Sequence, residues 1–257
     1  MTRCTVVRLS TTPVKGLMLH HPDSVELGTA GVAGDREFYL VSRSGRVESC
    51  THHASLYGLT AVLDPGGERL EILRAGRVVV AGTVETSTTF ATDMWGLRSV
   101  SAAHVADPVW AAFFSDLVSK PVSLARAIGS AFDVAPVTLL GTGSVDELAR
   151  RSGVDELDGR RFRMLIEFSG GDPHVEDTWQ AELVSVGSSV IRIGGPVKRC
   201  AATTRHPETG LVDAQTLRHI AEYRGRQDTV LGVGATFGVY AEVVQPGLVT
   251  VGDSLVL

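Results

Sequence analysis

The feature that most narrows the fold is a rhythm of short β-branched or alternating segments broken by glycine. "CTVVRLS", "EFYLVS", "LTAVLD", "LEILRAGRVVVAG" and "VETSTTFAT" fill much of residues 1–100. Ser44-Gly45 and Ala75-Gly76 punctuate them, the second pair as a hairpin signal. The period changes in "DPVWAAFFSDLVS" (107–119), which predicts a helix with Val109, Phe113 and Leu117 on one face. "VAPVTLLGTGSVDELARR" then reads as strand, glycine turn and helix, with Ser144 as N-cap and Glu147 completing a capping box. Strands return in "RFRMLIEF", "SSVIRIGG", "KRCAATT", "TFGVYAEVV", "LVTVG" and "SLVL". One helix interrupts them, "DAQTLRHIAEYR", capped by Asp213 with Leu217, Ile220 and Ala221 facing inward.

Strands dominate and no βαβ alternation persists, so the expected class is α+β and β-rich. Two barrel-like lobes are expected to meet near residues 100–135, an N-terminal one over 1–125 and a second over 126–257. A chain of 257 residues is long enough for either one large core or two small ones.

Lys plus Arg number 24 against 29 Asp plus Glu, a formal charge of −5, which argues against a general nucleic-acid coat while leaving room for a local basic pocket. Cys4, Cys50 and Cys200 are far apart and form no CxxC, so neither a zinc ribbon nor a disulfide framework is indicated. The N-terminus lacks the apolar core of a signal peptide, and no apolar run approaches the ~20 residues of a membrane span. A cytoplasmic protein without membrane or nucleic-acid partners is expected.

Cations recur at strand ends. Lys15 stands beside Gly16 in "TPVKGL", Arg36 at the mouth of a strand in "GDREFYLV", Arg161 and Arg163 in "GRRFRMLIEF", and Lys198 and Arg199 directly before Cys200. "GTGSVDE" would add backbone N–H groups and the Ser144 hydroxyl at a helix start. Lys15, Arg36 and Arg163 gathered around that helix N-terminus would make an anion site, since guanidinium forks match phosphate and a helix N-terminus supplies aligned donors. Cations near Cys200 would favour thiolate, the form that ligates soft metals or attacks sulfur. Each has a plainer reading: a cysteine at a strand end is more often inert packing, a scattered arginine is a solvated face, and Ser144 is a cap. His174, Glu176 and Asp177 in "GGDPHVEDTW" resemble a metal cluster, but their spacing matches no standard ligand set. His20-His21 and His52-His53 are read as structural or surface residues whose side chains point apart on strands.

In order along the chain, these segments resemble the MOSC-domain proteins, named for the C-terminal domain of molybdenum-cofactor sulfurase. The segments that carry the likeness are "TPVKGL", "GDREFYLV", "WAAFFSDLVSKPVSL", "VTLLGTGSVDEL", "RFRMLIEF", "VEDTW", "VKRCAATTRHPETG" and "FGVYAEVVQPGLVTVGD". The likeness is to the subgroup with an N-terminal β-barrel domain, which includes the mitochondrial amidoxime-reducing component and the bacterial YcbX-type proteins. The resemblance implies a molybdenum–pyranopterin cofactor, with Cys200 as metal ligand or sulfur carrier. It implies that Lys15, Gly16, Arg36, Ser144 and Arg163 lie at the pterin and phosphate, with Arg199 and Tyr240 near the metal; at family level it also carries an association with pyridoxal phosphate. The chain departs from the family pattern at Gly16, where serine is usual, and at Thr51, where a "TQR" arginine often stands. It departs again at "RML" (163–165) in place of "RPN", and at Lys198 in place of a small polar residue.

Three readings follow from the resemblance. The first is an oxidoreductase acting on N-hydroxylated or other N–O small molecules; the second is sulfur transfer by a Cys200 persulfide; the third is a cofactor-binding protein without catalysis. Three cysteines cannot supply a four-thiolate cluster and no glycine-rich nucleotide fingerprint is present. A redox role is therefore expected to need a separate electron donor of ferredoxin or flavin-reductase type.

Overall fold

A computed structural model describes residues 4–257. Seven strands close a barrel in the order Cys4–Leu9, Ile166–Ser169, Val137–Gly141, Thr236–Gln245, Ser189–Lys198, Leu183–Val186 and Ser254–Val256. Alternation drives the closure: in Leu183–Val186 every second residue is buried, and period-2 side chains can fill only one side of a strand. Leu9, Leu139, Ile166, Phe168, Ile191 and Val239 meet in the barrel interior. One pair of neighbours is parallel, Val137–Gly141 with Ile166–Ser169, and the helix α2 (Thr142–Ser152) lies on the connection between them.

The architecture interleaves the two ends of the chain. Cys4–Leu9 supplies a barrel stave between Ile166–Ser169 and Ser254–Val256, and Ser24–Gly28 pairs with Gly247–Thr250. The N-terminal half otherwise builds open sheets. A five-stranded sheet runs Val47–Glu48, Phe38–Ser42, Val122–Ala127, Arg98–Val105, Thr86–Met94, and Leu59–Leu63, Arg69–Arg74 and Arg77–Thr83 form a meander. In that meander Ala75 and Gly76 both take positive φ, 49° and 75°, the backbone that a two-residue hairpin turn requires.

The helix α1 (Pro108–Val118) begins as its sequence predicts, with Asp107 accepting from the Val109 N–H and proline in the first turn. Its buried face differs from expectation: Trp110, Phe114 and Val118 are buried, and Val109, Phe113 and Leu117 flank them, half-buried. The sheet decides the rotation, because the Trp110 indole donates to the Thr83 carbonyl at 2.8 Å and a buried indole N–H needs such a partner. The helix α3 (Thr216–Arg224) starts later than expected and has no side-chain cap, because Asp213 is drawn to Arg161. Thr216 and Ile220 form its buried face, with Leu217 and Ala221 half-buried. Among the described residues, no helix is long and apolar enough to cross a membrane.

Candidate functional site

At one end of the barrel, where the N-terminal sheets meet it, a cavity of roughly 480 Å³ opens, within the usual range for small-molecule and cofactor sites. Lys15, Gly16, Arg36, Arg163, Arg199, Cys200 and Tyr240 all line it. The sequence spreads these residues over more than two hundred positions, and barrel closure brings them together.

The first group of cations comes from the N-terminal segments. The Lys15 N–H donates to the Phe38 carbonyl at 2.8 Å, fixing this loop to the sheet edge. The Lys15 ammonium is buried and donates to the Ala131 carbonyl at 2.7 Å and Asp133 Oδ1 at 2.6 Å. The Trp95 indole donates to the same Asp133 oxygen at 2.7 Å. Burial alone would push Asp133 up; the Lys15 charge, the hydrogen bonds from Lys15 and Trp95, and Arg36 hold its carboxyl below the usual range. Arg36 pairs with Asp35 and donates to the Arg163 carbonyl at 3.0 Å. Arg163, at φ 56° and so left-handed, sends one N–H to the Leu17 carbonyl at 2.6 Å. No carboxylate pairs with Arg163 among the described residues. Gly16 has φ 94°, and a Cβ there would come within 3.1 Å of the Cys50 N. The local backbone therefore accounts for glycine where the family pattern has serine.

The second group flanks the thiol. Pro196 cannot donate to the sheet ladder, and the strand Ser189–Lys198 bulges on both sides of it. Beyond that bulge the expected strand "KRCAATT" ends at Lys198, and Ala201–Thr204 form a 3₁₀ turn instead. The hydroxyls cause this, since Thr203 bonds back to the Cys200 carbonyl at 3.1 Å and Thr204 to the Ala201 carbonyl at 2.7 Å. Cys200 stands exposed at the start of the turn, its sulfur 3.5 Å from the Thr51 hydroxyl. The Arg199 guanidinium donates to the Phe237 and Phe162 carbonyls at 2.8 and 3.0 Å and approaches the Met164 sulfur at 2.8 Å. Burial pulls Arg199 down to about 10, and none of its hydrogen-bond partners among the described residues is a carboxylate. It is a cation held by dipoles alone. Tyr240 is buried with no protein partner for its hydroxyl among the described residues, and burial pushes it up to about 12.

Ser144 is the exception among the expected site residues. It lies within the first turn of α2, fully buried, and its hydroxyl donates to Glu176 at 2.8 Å while accepting the His174 N–H at 2.8 Å. Gly141 holds the N-cap position, and the Gly141 N–H also points to Glu176 at 3.4 Å. The start of α2 is thus already filled by an internal carboxylate, and Ser144 does not line the cavity. Glu147 makes no capping box; it pairs with Arg150 and Arg151 one turn on. His174, Glu176 and Asp177 diverge to Tyr223, Ser144 and Arg224, and no metal-holding group of His, Cys, Asp or Glu forms among the described residues.

Several wall residues escape a reading of sequence. His52 and His53 do not point apart: both approach Glu48, at 3.9 and 2.8 Å, and His52 lines the cavity. Trp95, Asp133 and the buried Cys50 carry no motif of their own and arrive only through long-range packing. Gly210 of "HPETG" has a local reason. At φ 71° it lies against the Tyr57 ring, where a Cβ would come within 2.7 Å.

The MOSC domain profile matches residues 129–256. No curated protein matches the chain. Among solved structures it is similar to the YuaD protein from Bacillus subtilis, with 11% identity over 99% of this chain and 94% of that one and a TM-score of 0.48. It is also similar to YiiM from Geobacillus stearothermophilus, with 14% identity over 48% of this chain and 53% of that one and a TM-score of 0.34.

Proposed function

This chain is a MOSC-domain protein, and from that premise we propose that its cavity holds a molybdenum–pterin cofactor and reduces N-hydroxylated or other N–O compounds. One observation carries the reading. An exposed thiol, Cys200, shares a cavity with two guanidinium groups, Arg163 and Arg199, that have no carboxylate partner among the described residues.

The residues present fit that group. A thiolate suits a soft metal site, and the cofactor's phosphate calls for open guanidinium forks. Among the described residues Arg163 uses one of its five N–H donors, and Lys15 two of its three. Lys15, Arg36 and Arg163 would hold the phosphate, while Cys200 would complete the metal's ligands beside Arg199 and Tyr240. When bound, the group supplies two-electron redox chemistry and an acceptor for the substrate's oxygen. The Thr51 hydroxyl, 3.5 Å from the Cys200 sulfur, fixes the side of the cavity that the thiol faces. Tyr240, which burial keeps protonated up to about 12, would offer its hydroxyl as a donor to a group bound in the cavity and would not act as an acid near neutrality. Reduction of an N-hydroxyl group consumes two electrons and two protons and releases water, so a separate donor of ferredoxin or flavin-reductase type must deliver the electrons.

A second reading, a persulfide carrier on Cys200, is favoured by the exposure of that thiol. Turnover separates the two. The reductase should reduce an amidoxime with a dye donor or a reductase–ferredoxin pair, and only then. The carrier should ignore that system and accept sulfur from a cysteine desulfurase, visible by intact mass. Full molybdenum occupancy without reduction of any N–O compound under a competent donor would overturn the reductase.

A further inference from the structure

We propose that Lys198 forms a second anion subsite in the cavity, separate from the phosphate site at Lys15, Arg36 and Arg163, and that it receives an acid group carried by the substrate. The proposal deepens the reductase reading and rests on it for the word substrate.

The chain has three lysines. Lys15 pairs with Asp133 and Lys120 with Glu48, whereas no carboxylate reaches Lys198 among the described residues. Among the described residues its ammonium has one acceptor, the Leu231 carbonyl at 2.7 Å, which leaves two N–H donors without a partner there. Lys198 is only partly buried and lines the cavity two residues before Cys200. Successive residues of an extended chain face opposite ways. Arg199 turns to the carbonyls of Phe162 and Phe237, while Lys198 turns to the 227–234 hairpin. The two cations therefore leave the strand end in different directions while lining one cavity with Cys200.

The hairpin is built to hold that stem. Gln227 and Gly234 bridge its base, with N–H to carbonyl contacts of 2.9 and 3.0 Å. Thr229 ties its tip to Gly232 at 2.8 Å and to the Leu231 N–H at 3.1 Å. At Gly234 a Cβ would come within 2.6 Å of the Lys198 Cε and 3.0 Å of its Cγ, so glycine there lets the stem lie flat on the backbone. Val197 and Leu231 line the same cavity as Lys198, giving the ammonium an apolar border. A fixed cation edged by aliphatic side chains selects an acid group on an apolar body, such as an aromatic carboxylate.

The same cation could serve a second phosphate of a dinucleotide form of the cofactor, and the experiment separates these sources. Protein as purified is titrated calorimetrically with benzoate and with its neutral isostere, benzamide. Benzoate should bind wild type about tenfold or more tightly than benzamide, the low end for a charge-assisted hydrogen bond. Lys198→Met should erase the preference and Lys198→Arg keep it; where the Met variant fails to fold, Lys198→Gln takes its place. An equal affinity for both probes in wild type, or an undiminished preference in Lys198→Met, overturns the proposal. So does a dinucleotide cofactor whose content falls in Lys198→Met. Because binding is read without turnover, absence of N–O reduction would sink the reductase reading and leave this subsite standing.

Discussion

The Ser144 hydroxyl donates to the buried Glu176 carboxylate at 2.8 Å, and that bond removes the start of α2 from the cavity. Ser144→Ala should therefore cost stability and leave cofactor content unchanged. The variant loses the bond to Glu176 and leaves the His174 N–H without its acceptor, and an unsatisfied buried group alone costs about 1–3 kcal/mol. Urea unfolding reads the loss, and metal analysis of the same preparation reads retention. A folded Ser144→Ala variant stripped of molybdenum would return this residue to the site.

Arg163→Ala should weaken cofactor retention by roughly ten- to a hundredfold, the range for one charge-assisted hydrogen bond. The fold should persist, because among the described residues the side chain's one hydrogen bond is to the Leu17 carbonyl. Arg163→Lys keeps the charge without the fork and should lie between wild type and alanine. Wild-type pterin content in Arg163→Ala would place the phosphate elsewhere.

His174 gives the fold a defined acid sensitivity. Burial, and then Arg224, pull its imidazole down from 6.5 to about 4, so between those values the unfolded chain binds the extra proton. Stability is full above about pH 6.5 and falls as pH drops toward 4, by on the order of 2 kcal/mol. Glu176, raised chiefly by burial, has the opposite sign and loses stability as pH rises through its own range. Urea midpoints measured across pH 4–7 should slope upward in wild type and flatten in His174→Gln. An unchanged slope in that variant would assign the acid sensitivity to other groups.

Cys4 and Cys50 should behave differently from Cys200. Both are buried, Cys4 against the Gly170 carbonyl and Cys50 within the N-terminal core. Serine at either position places a hydroxyl in an apolar setting and should lower the melting temperature without removing metal. Loss of molybdenum from a folded Cys50→Ser protein would make that cavity-wall thiol a ligand.

Local signals carried much of the fold. Ala75-Gly76 and Asp107-Pro108 declare a hairpin and a helix start by backbone chemistry alone, and the structure has both. The site cations were legible because lysine and arginine at strand ends stand out against apolar strands, and the barrel gathers Lys15, Arg36, Arg163 and Arg199 on one cavity. Ser144 misled because its sequence neighbours satisfy a capping rule, while its competing partner, Glu176, lies 32 residues away. The same limit hid the helix face of α1, chosen by Thr83, and the bond from Trp95 to Asp133. Partners that distant leave no periodicity to read.

Metal and pterin content of purified wild-type protein beside Cys200→Ser tests the central claim most directly. Cys200 is exposed and, among the described residues, its sulfur has Thr51 as its one hydrogen-bond partner, so the serine variant should fold as wild type does. Wild type should carry molybdenum and pterin in equal amounts, and Cys200→Ser should lose the molybdenum. Equal molybdenum in both proteins, or none in wild type expressed with a full molybdenum supply, would contradict the account.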